Sequence, residues 1–170
     1  EWWTKCLNFK SENVYQKLIS YTNPPYGFYA DLENHQILCA SPELFIQKRG
    51  NKLLSKPIKG TQKRSKNKLE DETFITALKN NPKEKAENVM IVDLVRNDFS
   101  KISKPESVKV EELCKVYTFK NIHQMISTIS CTIKDSVKLS SILKATFPMG
   151  SMTGAPKVRV LKTMEKLEKT

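Results

Sequence analysis

No apolar run in this 170-residue sequence approaches the roughly 20 residues that a membrane-spanning helix needs; Val89 to Val92 is typical of the longest. A transmembrane reading is excluded. The start, Glu1-Trp2-Trp3-Thr4-Lys5, has no charged segment followed by an apolar one, so no secretory signal is expected. Metal-ligand spacing is also lacking. Cys6, Cys39, Cys114 and Cys131 form no C-x-x-C pair and the two histidines, His35 and His123, stand far apart, which excludes a zinc ribbon or finger. Four scattered cysteines make no disulfide framework and are read as reduced, small apolar side chains of a cytoplasmic protein. Internal repeats and low-complexity linkers are absent, and Pro and Gly fall singly between periodic segments.

What is present can bury a core: 39% of residues are hydrophobic and 28% charged, which sets aside a disordered tail. The length suits one domain or part of a larger one. The formal net charge of +11 divides almost evenly between the two halves. One local excess runs from Lys48 to Lys68, where nine Lys or Arg occur without an acid. Such a run suits phosphate or nucleic acid, so a basic nucleic-acid-binding module is an alternative of a different class. The run holds no aromatic residue to stack on a base, and neither nucleic acid nor membrane is expected as a partner.

The periodicities alternate between β and α. Ser11 is read as the N-cap of a helix carrying Val14, Leu18 and Ile19 on one face and ending at Asn23-Pro24-Pro25. Tyr26 to Leu32 and Gln36 to Ala40 read as strands around a Glu33-Asn34-His35 turn, and Leu44 to Lys48 and Lys52 to Ser55 as strands around Arg49-Gly50-Asn51. Connections without intervening helices predict an antiparallel meander. Leu69 to Asn80 and Pro82 to Asn97 read as helices covering the sheet, with Pro82 in the first turn. Val108 to Val116 and Ile122 to Ile133 return to β composition, Leu139 to Phe147 is a short helix, and Val158, Leu161, Met164 and Leu167 mark a last helix after Pro156. The fold class is α+β, a largely antiparallel sheet with covering helices.

Several constellations can carry chemistry. The helix from Pro82 is apolar nearly all round between Val89 and Val95, predicting burial on most faces, yet Glu87 shares a face with Met90, Ile91 and Leu94. A carboxylate there needs a cationic partner, either a Lys or Arg or a hard metal ion. Asp93 to Asp98 places two carboxylates and a guanidinium near the helix end, the composition of an ion-pair and capping network. Pro57-Ile58-Lys59-Gly60-Thr61 sets a lysine beside a glycine that allows close approach; Lys59 is either a solvated surface residue or, if desolvated, a nucleophile. Glu43 stands at a strand boundary and can serve as general acid or base if the hairpin brings it to Lys59. Pro148 to Lys157 puts small and hydroxyl residues ahead of a helix, suiting either an anion or plain capping.

Five blocks in order, ASPELF (Ala40 to Phe45), PIKGT (Pro57 to Thr61), AENVMIVDLVRND (Ala86 to Asp98), IHQMIST (Ile122 to Thr128) and FPMGSMTGAPKVR (Phe147 to Arg159), make the chain resemble the chorismate-utilising enzymes. Within them the resemblance is strongest to the aminodeoxychorismate synthase component I branch, with anthranilate synthase component I as the alternative. The resemblance implies the family's α/β sandwich. It also implies conversion of chorismate and ammonia to 4-amino-4-deoxychorismate, for p-aminobenzoate and folate, with a glutamine amidotransferase partner as the ammonia source. By the same resemblance Lys59 is the nucleophile that attacks C2 of chorismate while the 4-hydroxyl leaves, where anthranilate synthases usually carry alanine. Glu43 is then the general acid or base, and Glu87 a ligand of Mg2+. Gly60, Thr61, Gln124, Ser151, Thr153 and Gly154 are implied to line the substrate pocket.

Two departures accompany the resemblance. The family often carries His where this chain has Gln124, with His123 one place earlier, so no catalytic role is assigned to His123. Family members also run to several hundred residues. Residues 1–170 are therefore read as the central part of a single catalytic domain, without the second metal-binding glutamate and the Tyr and Arg for the enolpyruvyl carboxylate. On its own the chain is expected to be inactive.

Overall fold

The computed structural model describes residues 10–168. They fall into two compact units divided after Leu44. The first contains helix α1 (Ser11–Thr22) and strands β1 (Tyr26–Leu32) and β2 (His35–Ser41), paired antiparallel from Tyr26↔Ser41 to Leu32↔His35. The hairpin turn is thus Glu33-Asn34, one residue shorter than expected. Ser11 is not the cap of α1: Lys10 holds that position without a side-chain bond. The Ser11 hydroxyl instead hydrogen-bonds the Tyr29 hydroxyl at 2.7 Å, tying the helix to the hairpin. Asn23 ends the helix in the left-handed region, at φ 42°, with its N–H donating to Ile19 O at 2.8 Å.

The second unit is built on strands β3 (Leu44–Arg49), β4 (Lys52–Lys56), β5 (Ile58–Lys63), β6 (Lys109–Thr118) and β7 (Ile122–Thr132). These form one sheet ordered β3-β4-β7-β5, with β6 also paired to β7, whereas β1 and β2 form a separate two-stranded sheet. The expected continuous meander is therefore broken between β2 and β3. Pro42, which has no N–H to donate, occupies the bend there.

Strands β4 and β5 lie end to end along β7. Lys52↔Thr132 to Ser55↔Ile129 is one antiparallel register, and Ile58↔Ile126 continues it. The ladder runs through Pro57, whose carbonyl accepts from Ser127 N–H at 3.2 Å. One extra residue then enters before Thr61↔Gln124, a β-bulge at Lys59-Gly60. Strand β6 carries two further register shifts, and Cys114, at φ 52°, lies in the second.

Helices α2 (Lys68–Asn80) and α3 (Pro82–Ser100) cover one face of this sheet. Asn67 and Asn81 cap them, each accepting from two backbone N–H groups, and Pro82 opens α3 as expected. Alternation along β7 turns His123, Ser127, Ile129 and Cys131 to the helices. Gln124, Thr128 and Ser130 point the other way, where Thr128 and Ser130 meet Glu112 and Glu111. The core joins Leu53, Val92, Phe99, Ile102, Ile129, Cys131, Ile133 and Ile142, the last from helix α4 (Leu139–Thr146). Helix α3 is not buried all round: Ile91 and Val92 are, but Val89 and Met90 are about 40% exposed and line an open groove with Ala86, Leu94 and Ala155. An apolar pattern marks residues able to be covered, not those that are.

Strand alternation also disperses the basic run from Lys48 to Lys68. Lys48 donates to Gly50 O at 2.7 Å, Lys52 pairs with Glu111 at 3.6 Å, and Arg64 pairs with Asp71 at 2.9 Å. Cys39, Cys114 and Cys131 are free thiols, and burial pushes Cys131 up to about 11; Cys6 lies outside the described residues. Among the described residues no helix is long and apolar enough to cross a membrane.

Lys115, and then the Tyr117 hydroxyl, hold the Glu112 carboxyl down to about 2 from an ordinary 4.5. A carboxyl depressed in the folded state contributes stability that is full above its unfolded value and lost as pH falls toward the folded one. Urea midpoints are therefore expected to fall between about pH 4.5 and pH 2, less steeply in Glu112→Gln. Parallel curves for the two proteins would contradict this.

Candidate active site

Lys59 stands at the bulge in β5, where the regular cross-strand pairing is interrupted between Ile58 and Thr61. Its ammonium donates to the carbonyl of Ser151 at 3.1 Å, across 92 residues of sequence. Gly60 follows at φ +92°, a conformation that side chains resist. A Cβ there would also lie 3.1 Å from Leu78 and 3.2 Å from Glu84, so α2 and α3 close over the bulge. Gly60→Ala is expected to cost about 1–3 kcal/mol, read from urea denaturation, because backbone strain and crowding act together. An unchanged midpoint would show that the bulge relaxes freely.

Ser151 belongs to helix α5 (Gly150–Thr153), a single turn lying against α3. Gly150 makes that approach possible: a Cβ on it would meet Leu94 at 3.2 Å. While the Ser151 carbonyl receives Lys59, its Oγ is buried and has no hydrogen-bond partner, a state that a ligand would relieve. Behind Ser151, lined by Phe45, Pro57, Ile91 and Phe99, is an apolar cavity of about 10 Å3, space for about one water and too small for a ring substrate. Thr153 Oγ1 donates to Met149 O at 3.4 Å and Gly154 O at 3.3 Å. Gly154, at φ +78°, turns the chain toward the last helix, with open space where a Cβ would stand.

Not every expected site residue meets this cluster. Thr61 and Gln124 are cross-strand partners on the sheet face turned away from α2 and α3. Gln124 is 6% exposed, and its Oε1, like Ser151 Oγ, is buried without a hydrogen-bond partner. His123 takes the helix side. Its Nε2 lies 2.9 Å from Asp71 Oδ1 and its Nδ1 2.9 Å from the Thr118 hydroxyl. Arg64, then the Ser65 N–H, hold the Asp71 carboxyl well below the usual carboxylate range. His123 thus belongs to a buried network with Asp71 and Thr118. Glu43 lies in the bend after β2, in the first unit; its N–H donates to Ser41 Oγ at 3.2 Å and its carbonyl accepts from the same hydroxyl at 3.1 Å.

Glu87 lies two helical turns before Leu94 on the same stripe of α3, the stripe facing α5. Its side chain is 42% exposed and meets Lys83 at 3.9 Å, so the cationic partner here is a lysine one turn back. Among the described residues no three His, Cys, Asp or Glu converge as a metal site. Glu87 fits a Mg2+ ion as a single oxygen ligand, since such ions take one or two carboxylates and keep several waters.

Two long-range ion-pair contacts escaped the sequence reading. Asp71-Arg64-His123 joins α2 to β7, and no local pattern announces it. Asp98 is buried and pairs with Lys101 at 2.9 Å and with Lys157, which opens helix α6 (Lys157–Leu167). Their placement in two of the five blocks is the one sequence signal of that contact. Asp93 and Arg96 form an expected ion pair, at 2.8 Å, and it is exposed.

A model of the family described as chorismate binding enzyme matches residues 3–170. The chain belongs to that family. Among chorismate-binding relatives, aminodeoxychorismate synthase component 1 of Bacillus subtilis is 37% identical over 98% of this chain and 36% of its own length. Anthranilate synthase component 1 of Aquifex aeolicus is 34% identical over 92% of this chain and 32% of its own. The crystal structure of anthranilate synthase component I from Streptococcus pneumoniae superposes with a TM-score of 0.84 at 30% identity, covering 95% of this chain and 35% of that one. The chain spans about a third of the length of these chorismate-binding relatives. Its α+β fold, an antiparallel sheet covered by helices, is the one they share.

Proposed function

We propose that this chain is the central part of a longer synthase domain that aminates chorismate, giving 4-amino-4-deoxychorismate. The observation that carries this reading is Lys59, set at a bulge and held by the carbonyl of Ser151 beside an unsatisfied buried hydroxyl. As the free amine, Lys59 attacks C2 of chorismate; the ring double bonds shift and the 4-hydroxyl leaves, protonated to water by Glu43 acting as general acid. Ammonia then adds at C4 and gives its extra proton back to the general acid, the double bonds shift back, and the lysine amine leaves C2. The sum is loss of water and gain of the amine, with the enolpyruvyl group retained.

Ser151, Thr153 and the backbone at Gly60 and Gly154 are proposed to bind the substrate beside Lys59; Thr61 and Gln124, paired on the other face of the sheet, are left out of that pocket. A glutamine amidotransferase subunit is the proposed ammonia source, and the cytoplasm the proposed location. Glu87 would help to hold a Mg2+ ion, which when bound would supply positive charge for the ring carboxylate. Glu87→Gln is expected to raise the Mg2+ concentration for half-maximal activity by about tenfold or more. Unchanged Mg2+ dependence would remove Glu87 from the metal site.

A second reading, anthranilate formation with release of pyruvate, is the one that the solved-structure comparison supports better, since the TM-score of 0.84 is to an anthranilate synthase component I. The lysine at position 59 favours the first. The mass of the product made by the full-length synthase from chorismate, ammonium and Mg2+ separates them. A product retaining the enolpyruvyl group supports amination at C4; anthranilate and free pyruvate would overturn it.

A further inference from the structure

Lys157 is a nearly buried lysine, its side chain 14% exposed, facing an Asp98 side chain that is 8% exposed. Its ammonium donates to Asp98 Oδ2 and to the carbonyl of Thr146, the latter at 3.2 Å. The other Asp98 oxygen accepts from Lys101 at 2.9 Å. Thr146 is the last residue of α4 and Lys157 the first of α6. One ammonium therefore gathers both ends of the segment 147–156 onto one carboxylate of α3. Inside that segment lies Ser151, whose carbonyl holds Lys59. Helix α5 is a single turn without a side-chain cap, and a turn that short does not hold its own position.

We propose that the Asp98–Lys157 pair is a positioning element: by closing the segment 147–156 it sets where the Ser151 carbonyl stands and so where the Lys59 amine is presented. A pair serving stability alone would leave Lys59 unaffected in any variant that still folds. The proposal rests on Lys59 as nucleophile only for its effect on turnover. The placement of Lys59 is measured without turnover.

The test is competitive acylation of lysines by an N-hydroxysuccinimide ester, read by peptide mass spectrometry on the full-length synthase. Compared with the parent are Asp98→Asn, Lys157→Met and Lys157→Arg. Asp98→Asn leaves a buried ammonium without its carboxylate; Lys157→Met keeps Asp98 paired with Lys101 and supplies a folded variant if the first does not fold. In folded Asp98→Asn or Lys157→Met, Lys59 is expected to acylate at least about threefold faster while Lys63 and Lys79 stay within about twofold, and Lys157→Arg returns Lys59 toward the parent rate. Turnover should fall by about tenfold or more with KM for chorismate within about threefold, the signature of a misplaced group rather than lost binding. Unchanged Lys59 acylation in a folded variant overturns the proposal, as does an equal rise at all three lysines. Faster Lys59 acylation without loss of turnover upholds the positioning and rejects Lys59 as nucleophile.

Discussion

Lys59→Ala in the full-length synthase is expected to lower C4 amination by about three orders of magnitude or more, while chorismate affinity in the presence of Mg2+ changes by less than about threefold. A nucleophile acts on the transition state, so its removal spares ground-state binding. The structural cost of the change is expected to be small, because Lys59 lies outside the ladder's regular pairing and its ammonium is held by a bond to the Ser151 carbonyl. Product formation followed by mass, with affinity from calorimetry, distinguishes the outcomes. Parallel loss of binding and turnover would make Lys59 a binding or structural residue. Retained amination would remove the covalent step, and anthranilate from the variant would assign the lysine to product choice alone.

Phe99→Ala is expected to produce the largest loss of stability, about 3–5 kcal/mol, which is a large share of the roughly 5–15 kcal/mol by which a domain is stable. Phe99 is 1% exposed and packs in the cluster of Leu53, Val92, Ile129 and Ile142. It also lines the small cavity behind Gly150 and Ser151. Its truncation would enlarge that space directly behind the segment that holds Lys59. Denaturant unfolding measures the stability change, and turnover at a temperature where the variant is folded measures the effect on the site. A loss below about 1 kcal/mol would show that the core collapses into the vacated volume.

The hairpin of β1 and β2, the two helices α2 and α3 and the final helix were legible because each is local: β-rich runs about a turn, a proline in a first turn and a 3.6-residue repeat are complete within a dozen residues. The assignment of Ser11 as a cap failed because serine offers the same hydroxyl to a backbone N–H and to a distant Tyr29, and only the fold decides between them. That β4 and β5 act as one strand was hidden for a similar reason, since their common partner β7 lies some seventy residues on. The family was legible through the order of the five blocks. The site's internal contacts, Lys59 to Ser151 and Asp98 to Lys157, span 92 and 59 residues and leave no mark on spacing.

The bulge at Lys59-Gly60 has a consequence for how this family can diversify. A residue in regular pairing answers to cross-strand neighbours, and changing it disturbs the sheet. The inserted residue answers to none, since Ile58 and Thr61 keep their partners on either side. A substitution at position 59 therefore leaves the cross-strand pairing on either side of it in place. A strand that counts one residue too many gives descent a place to alter chemistry while leaving architecture alone.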